Sequence, residues 1–395
     1  MNFLKDLNFT DLKIYTMNSQ LKRTHLFNFH KKYGNITAFA GFEHALWYEG
    51  IVQEHMAVRN SVGVFDVTHM GRTIVEGKDA VKLLEKLLPR KVSNMNLRQG
   101  RYSFFLNGNG GIIDDLTVFR LDNNKFLVVY NAGNRKKDFE WISNRAKRYD
   151  VNVSDVSDNV VMLAVQGPKV ISTLQKLSNI DLASIKRYWC DWIKLDSFDS
   201  VLVTRTGYTG EDGFEVYLWD TPLSMTDKAE RFLLSILEAG REFGIKPCGL
   251  GSRDTLRLEA GMCLSGHDID DNISPFEAGL GILVDFEQSD FIGRKALLKQ
   301  KEKGLKRSRV CIRLLEKGIP RSDNELLADN IKVGRLTSGT FSPLLKIGIG
   351  MGYVDINHSS IGTELQVKIR ENKTRSTVVE PPFYDTTKYG YKRLT

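Results

Sequence analysis

The chain has 395 residues, of which 42% are hydrophobic and 26% charged, and it carries a net charge of +8. That length is more than one hydrophobic core can serve and implies two or three domains of ordinary globular composition. The positive excess suits an anionic small molecule or an acidic protein. Nucleic acid is disfavoured, because the densest basic run, Lys301 to Arg309, contains no aromatic residue for base stacking and reads as a solvated linker.

In chain order, residues 1–21 carry Lys5, Asp6, Asp11 and Lys13 among their apolar positions, so they read as an N-terminal extension and not as a signal peptide. A short helix is expected over 24–33 and a second over 51–60, with Val52 and Met56 on one face. His69, in Asp66-Val67-Thr68-His69-Met70-Gly71-Arg72, reads as a packing histidine ahead of a strand over 73–76. Asp79 is placed to cap the helix over 80–88. A hairpin follows, with strands over 102–106 and 116–121 and the turn at 107–111. The strand 126–130 then ends in Asn131-Ala132-Gly133-Asn134, ahead of a helix over 136–148.

The second half repeats this alternation. Val160 to Val165 is a continuous apolar strand, and Val201 to Arg205 and Phe214 to Trp219 flank a glycine-rich turn. A long amphipathic helix over 227–243 ends at Gly244. Ser252 or a neighbour is expected to cap a short helix whose apolar face holds Leu256 and Ala260. After the basic run, five short strands between Val310 and Val379 recur at intervals of about ten residues, the pattern of a small antiparallel barrel or sandwich.

Cys190, Cys248, Cys263 and Cys311 lie far apart with no Cys-x-x-Cys, so reduced thiols and a cytoplasmic setting are expected. The seven histidines form no His-x-x-x-His pair, which gives a metal site no support. No apolar run approaches the roughly 20 residues that span a bilayer, so no membrane association is expected.

Two stretches carry chemistry. In Gly110-Gly111-Ile112-Ile113-Asp114-Asp115-Leu116 two glycines permit a tight turn, and two adjacent carboxylates enter a strand. Strand alternation sends one aspartate inward, where it must be hydrogen-bonded or have work to do. The run Gly207 to Gly213 lacks the Gly-Lys-Ser/Thr ending of a phosphate loop and joins two strands. Glu215 follows it and shares a strand face with Tyr217 and Trp219, which suits a flat ligand whose amide-like edge offers two parallel N–H groups.

These blocks, with Arg253-Asp254-Thr255-Leu256-Arg257-Leu258-Glu259-Ala260-Gly261-Met262 and Gly352-Tyr353-Val354, occur in one order from about Lys22 to Tyr389. In that order the chain resembles the aminomethyltransferase family, the T-protein of the glycine cleavage system. The resemblance implies an α+β fold of three domains in a cloverleaf around a central folate channel. Two discontinuous αβ domains would occupy residues 22–300 and a C-terminal β-barrel-like domain residues 301–395. It implies tetrahydrofolate as co-substrate and a lipoyl-carrying H-protein as partner. The products would be ammonia, 5,10-methylenetetrahydrofolate and the dihydrolipoyl carrier.

Carried over residue by residue, Asp115 matches the catalytic aspartate and Glu215 the glutamate that binds the pterin edge. Tyr208, Asn131 and Arg253 match folate-pocket positions, Tyr389 a C-terminal tyrosine that closes the site, and Tyr102 an aromatic near the pterin. Ser265 departs from a tyrosine common in the family, which implies a rearranged contact to the folate or its tail. Two alternatives share the resemblance: a folate-binding regulatory module without transferase activity, and another folate-dependent one-carbon demethylase.

Overall fold

The computed structural model describes residues 21–287 and 290–393, so the expected N-terminal extension lies, apart from Leu21, outside the described residues. Among the described residues the strands assemble into three open sheets and a closed barrel. The six-stranded sheet runs Cys190–Leu195, Phe198–Thr204, Gly213–Leu218, Val161–Gln166, Gly63–Asp66, Lys246–Cys248. Only its last pair is parallel. The five-stranded sheet runs Gly100–Leu106, Ile112–Asp122, Lys125–Tyr130, Gly71–Glu76, Asn152–Asp155. The chain therefore enters the first sheet at Gly63, leaves to build the second, and returns at Val161. A small sheet of Lys22–Arg23, Phe42–Trp47 and Asn35–Phe39 precedes both.

Alternation along Gly213–Leu218 explains how the sheets are buried. Phe214, Val216 and Leu218 face a core shared with Phe232 and Ile236 of the helix Thr226–Ala239. Tyr217 faces the other way, into a seam with Phe65, Phe119 and Leu127 that joins the two large sheets face to face. Each such side chain contributes about 1.5–3 kcal/mol when fully buried, so the seam holds the sheets at a fixed spacing. The barrel closes in the order Arg307–Leu314, Ile347–Asp355, Ile331–Ser342, Glu325–Ala328, Glu364–Ile369, Asn372–Val379, antiparallel throughout. The helix Leu250–Glu259 locks the barrel to the rest: Leu256 packs into the seam, and Leu258 packs against Cys311, Ile349 and Met351.

Five local expectations are corrected. Asp79 makes no cap bond; its carboxylate accepts from Lys82 and from the Asp150 amide. Ser252 lies inside its helix, and the start of that helix is held by Glu54, which accepts from the Gly249 amide and the Ser252 hydroxyl. The helix Ile51–Asn60 buries Glu54, His55, Val58 and Arg59, while Val52 is exposed. Its inward face is polar because it feeds an ion-pair network, so apolar spacing pointed to the wrong face. The basic run is no linker: Lys301 and Lys303 end the helix Arg294–Lys303, and Arg307 and Arg309 lie in the first barrel strand. Arg309 donates to the carbonyls of Ala278 and Gly261. The barrel has a sixth strand, Glu325–Ala328, whose four residues are too few to show a period.

Candidate active site

The two glycines before the acids serve different ends. Gly110 has φ +84°, a turn conformation that only glycine adopts cheaply. A Cβ on Gly111 would stand 1.8 Å from the carbonyl oxygen of Asp271, so the absent side chain lets two backbones touch. From this turn the strand Ile112–Asp122 carries Asp114 inward, fully buried, and leaves Asp115 half-buried. Asn131, at the end of the neighbouring strand, reaches both. Its side-chain amide donates to Asp114 Oδ1 at 2.9 Å and to Asp115 Oδ1 at 2.7 Å, and its backbone amide to Asp114 Oδ2 at 3.0 Å. The hydroxyl of Tyr102, on the strand at the other side, donates to Asp115 Oδ2 at 2.8 Å. Burial first, then the Asp114 carboxylate, push the Asp115 carboxyl up to about 7, against the pull of these donors.

A second node lies on the six-stranded sheet. Glu215 Oε2 accepts from the Thr206 hydroxyl at 2.6 Å and from Tyr217 at 3.4 Å. Burial pushes the Glu215 carboxyl up, and the field of Arg253 partly offsets it. The Arg253 guanidinium sits 4.7 Å from the centre of the Tyr208 ring. The Tyr208 hydroxyl donates to the Cys263 carbonyl, and Tyr208 feels the charge of Asp115. Tyr208 and Arg253 thus connect the two nodes. Tyr102, Asp115, Asn131, Tyr208, Glu215 and Arg253 are half-buried in otherwise buried surroundings, as the lining of a channel would be. Beside them Arg90, Gln99, Gly100, Arg101, Tyr102, Tyr188 and Leu283 line a cavity of about 400 Å³.

Tyr389 stands apart from both nodes. Its ring packs on Tyr384 with centroids 6.5 Å apart, and the segment around it is pinned to the glycine-rich turn. The Tyr391 amide donates to the Gly210 carbonyl at 3.0 Å and the Gly390 amide to Glu211 Oε1 at 3.0 Å. The segment is thus bonded to the turn that carries Tyr208, but no hydrogen bond or ring contact joins Tyr389 itself to Asp115, Glu215 or Arg253.

Sequence reasoning did not name Thr206, and it placed Ser265 at a rearranged folate contact and not beside the acids. Thr206 fixes Glu215, and Ser265 donates to Asp114 Oδ1, so the serine that departs from the family pattern is tied to the acid pair. Spacing also hid a polar knot. His30, His44 and Asp66 bring their ligand atoms within 4.8 Å of one another, although His30 and Asp66 are 36 residues apart in sequence. Asp66 Oδ2 accepts from Thr24 at 2.7 Å and His30 at 2.8 Å, and Oδ1 from the Thr68 amide at 2.9 Å. Both oxygens are engaged, so the cluster works as a hydrogen-bonded hub of the fold. His69 packs its ring 4.8 Å from that of His44, as a packing histidine should.

Comparison with known proteins places this geometry among relatives. A family model described as the GCVT N-terminal domain matches residues 26–288, and one described as the glycine cleavage T-protein C-terminal barrel domain matches residues 307–385. The chain is similar to an aminomethyltransferase of Caldanaerobacter subterraneus, 46% identical over 94% of this chain and 98% of the relative. It is similar also to a probable aminomethyltransferase of Pyrococcus horikoshii, 39% identical over 95% of this chain and 100% of the relative. Among solved structures, the glycine cleavage system aminomethyltransferase T of Bartonella henselae superposes with a TM-score of 0.85, at 33% identity, over 94% of this chain and 99% of that one.

Proposed function

The chain belongs to the glycine cleavage T-protein family and is an aminomethyltransferase, a transferase of one-carbon groups, and from that premise we propose that its co-substrate is tetrahydrofolate and its donor an aminomethyl-lipoyl H-protein. The observation that carries the reading is the pair of nodes joined by Tyr208 and Arg253. One offers a carboxyl that titrates near neutrality, the other a carboxylate held to accept a flat, N–H-bearing edge.

In this reading the pterin ring lies between the nodes, with its amide edge on Glu215. A carboxylate accepts two parallel N–H bonds, and charged hydrogen bonds contribute about 1.5–3 kcal/mol each. Arg253 and Tyr208 flank the ring, Tyr102 and Asn131 hold the Asp115 carboxyl in one orientation, and Tyr389 closes the site. Asp115 takes the proton released as the first folate amine attacks the methylene carbon and ammonia leaves; attack by the second folate amine then breaks the carbon–sulfur bond, and its proton goes to the thiolate of the released dihydrolipoyl carrier. A positioned acid or base contributes about 10²–10⁴ in rate, most when its pKa lies near the working pH. The enclosed site protects an iminium-like intermediate from water. The boundaries at 22–300 and 301–395 and a cytoplasmic setting belong to the same proposal.

The test is ammonia release from aminomethylated H-protein with and without tetrahydrofolate. Release that depends on tetrahydrofolate and yields methylenetetrahydrofolate is expected. Folate binding with no effect on the aminomethyl carrier would overturn the reading in favour of a binding module.

A further inference from the structure

Asn131 serves both acids of the site with a single side-chain amide. Its nitrogen lies 2.9 Å from Asp114 Oδ1, 2.7 Å from Asp115 Oδ1 and 3.1 Å from the Asp115 carbonyl oxygen. A carboxamide carries two N–H hydrogens, so three acceptors compete for them. The Ser265 hydroxyl bears on that competition, because it donates to the same Asp114 Oδ1 at 2.5 Å. A hydrogen supplied by Ser265 is one that Asp114, 0% exposed, need not draw from Asn131.

Ser265 stands on a loop rooted in the barrel. Three residues on, Asp268 is fully buried and engaged on both oxygens. Its Oδ1 accepts from Ser338 at 2.8 Å and from Thr337, both on the barrel strand Ile331–Ser342. Its Oδ2 accepts from Arg257 at 2.6 Å and from the Leu264 amide at 2.9 Å. The Tyr353 hydroxyl, on the next barrel strand, donates to the Asp268 carbonyl at 2.7 Å. The Gly266 amide donates to the Ile269 carbonyl at 2.9 Å and closes the loop. Asn134 donates to Ser265 Oγ at 3.3 Å, which turns the one hydroxyl hydrogen towards Asp114. A donor supported on this many sides is preorganised for its acceptor.

We propose that Ser265 is a positioning residue for Asp115, and that through it the barrel takes part in setting the active site. By satisfying Asp114, Ser265 leaves the Asn131 amide to hold Asp115 Oδ1 while Tyr102 holds Oδ2. Without it, Asp114 draws on Asn131, and the Tyr102 hydroxyl alone orients the Asp115 carboxyl. Ser265 thus acts through Asn131 and not by touching the folate. The inference rests on the proposed role of Asp115.

The test is steady-state ammonia release from the aminomethylated carrier with tetrahydrofolate. In Ser265→Ala, kcat should fall about ten-fold or more, since a misplacement of about 1 Å costs up to about 10² in rate. The KM for tetrahydrofolate should stay within about two-fold. Ser265→Thr keeps the hydroxyl and should recover most of the loss. In an Asn131→Ala background, Ser265→Ala should cost less than about two-fold more, because its effect passes through Asn131. A raised KM with unchanged kcat would make Ser265 a folate contact. Additive losses in the double variant would remove Asn131 from the path, and wild-type turnover in Ser265→Ala would leave the hydroxyl without a role. Any of these results overturns the proposal.

Nuclear magnetic resonance of the resting protein, with isotope-labelled asparagine, reads the same link without turnover. The Asn131 side-chain signal, identified by its loss in Asn131→Ala, should move in Ser265→Ala and stay near its wild-type position in Ser265→Thr. An unmoved signal in Ser265→Ala overturns the proposal even if turnover falls. A moved signal, in a protein whose Asp115→Asn variant stays active, places the failure in the Asp115 assignment and not in the Ser265–Asn131 link.

Discussion

At the scale of the residue, the reading turns on a carboxyl whose position and protonation were set by different neighbours. Tyr102 and Asn131 orient Asp115, while burial and Asp114 raise its affinity for a proton. Asp115→Asn should keep folate binding within a few-fold yet lower turnover by about 10² or more, measured as ammonia release; a loss under about five-fold would remove Asp115 from the chemistry. The same substitution should stabilise the fold. The folded carboxyl holds its proton to about 7, against an ordinary value of 3.8. Between those values the folded state binds the extra proton, so Asp115 costs stability increasingly as pH rises through that window. Asparagine carries no such cost, and the Tyr102 hydroxyl can accept from its amide. The gain in melting temperature should therefore grow from about pH 4 to about pH 7 and then level off. Glu215→Ala should weaken folate binding at least about ten-fold, since charged hydrogen bonds are lost. Wild-type affinity in a calorimetric titration would contradict the assignment. These residues were legible because motif order pointed to them; Thr206 was not, because what matters in it is Glu215, brought beside it by the neighbouring strand.

At the scale of the element, the polar face of the helix Ile51–Asn60 shows why apolar periodicity fails locally. Arg59 donates to Glu259 at 3.0 Å, Glu211 at 3.0 Å, the Thr209 carbonyl at 2.8 Å and the Leu256 carbonyl at 3.2 Å. Arg393 and the Gly390 amide bind the same Glu211, and the Tyr384 ring lies under Arg59 with its centroid 4.5 Å away. One guanidinium thereby ties together a helix, the glycine-rich turn, the helix that bears Arg253 and the C-terminal segment. No period of 3.6 residues announces such a knot, whereas the helix Thr226–Ala239, which buries Phe232, Leu233 and Ile236 on one face, was plain from its pattern. Arg59→Leu leaves buried Glu259 without its guanidinium and Glu211 with Arg393 alone, and breaking a buried pair in this way costs about 3–5 kcal/mol. Urea denaturation should show a loss of that order. A change under about 1 kcal/mol would mean that water or Arg393 takes over the charge.

At the scale of the whole molecule, long-range pairing was beyond local pattern. Gly63–Asp66 pairs with Val161–Gln166 across an intervening sheet, and only the resemblance to a family implied that interleaving. Net charge is the opposite case, readable from composition but silent about place. Arg59 and Arg257 are buried and matched to buried acids, so the excess of +8 is expressed elsewhere, in part by Lys295, Lys299, Lys301 and Lys303 on one helix. If the donor is an acidic lipoyl carrier, opposite charges steer the encounter, and salt screens them over about 8 Å at physiological strength. The chemical step, enclosed by half-buried side chains, should be screened far less. With aminomethylated carrier protein, kcat/KM should fall several-fold between about 20 and about 300 mM salt, chiefly through KM. With a small aminomethyl-lipoamide analogue, which has no charged surface, the rate should be low and nearly flat over the same range. Reversing the charge of Lys299 or Lys303 will flatten the first curve only if that helix faces the carrier. Equal salt dependence for carrier and analogue would detach the excess charge from docking altogether and leave the anionic tail of the folate as its partner.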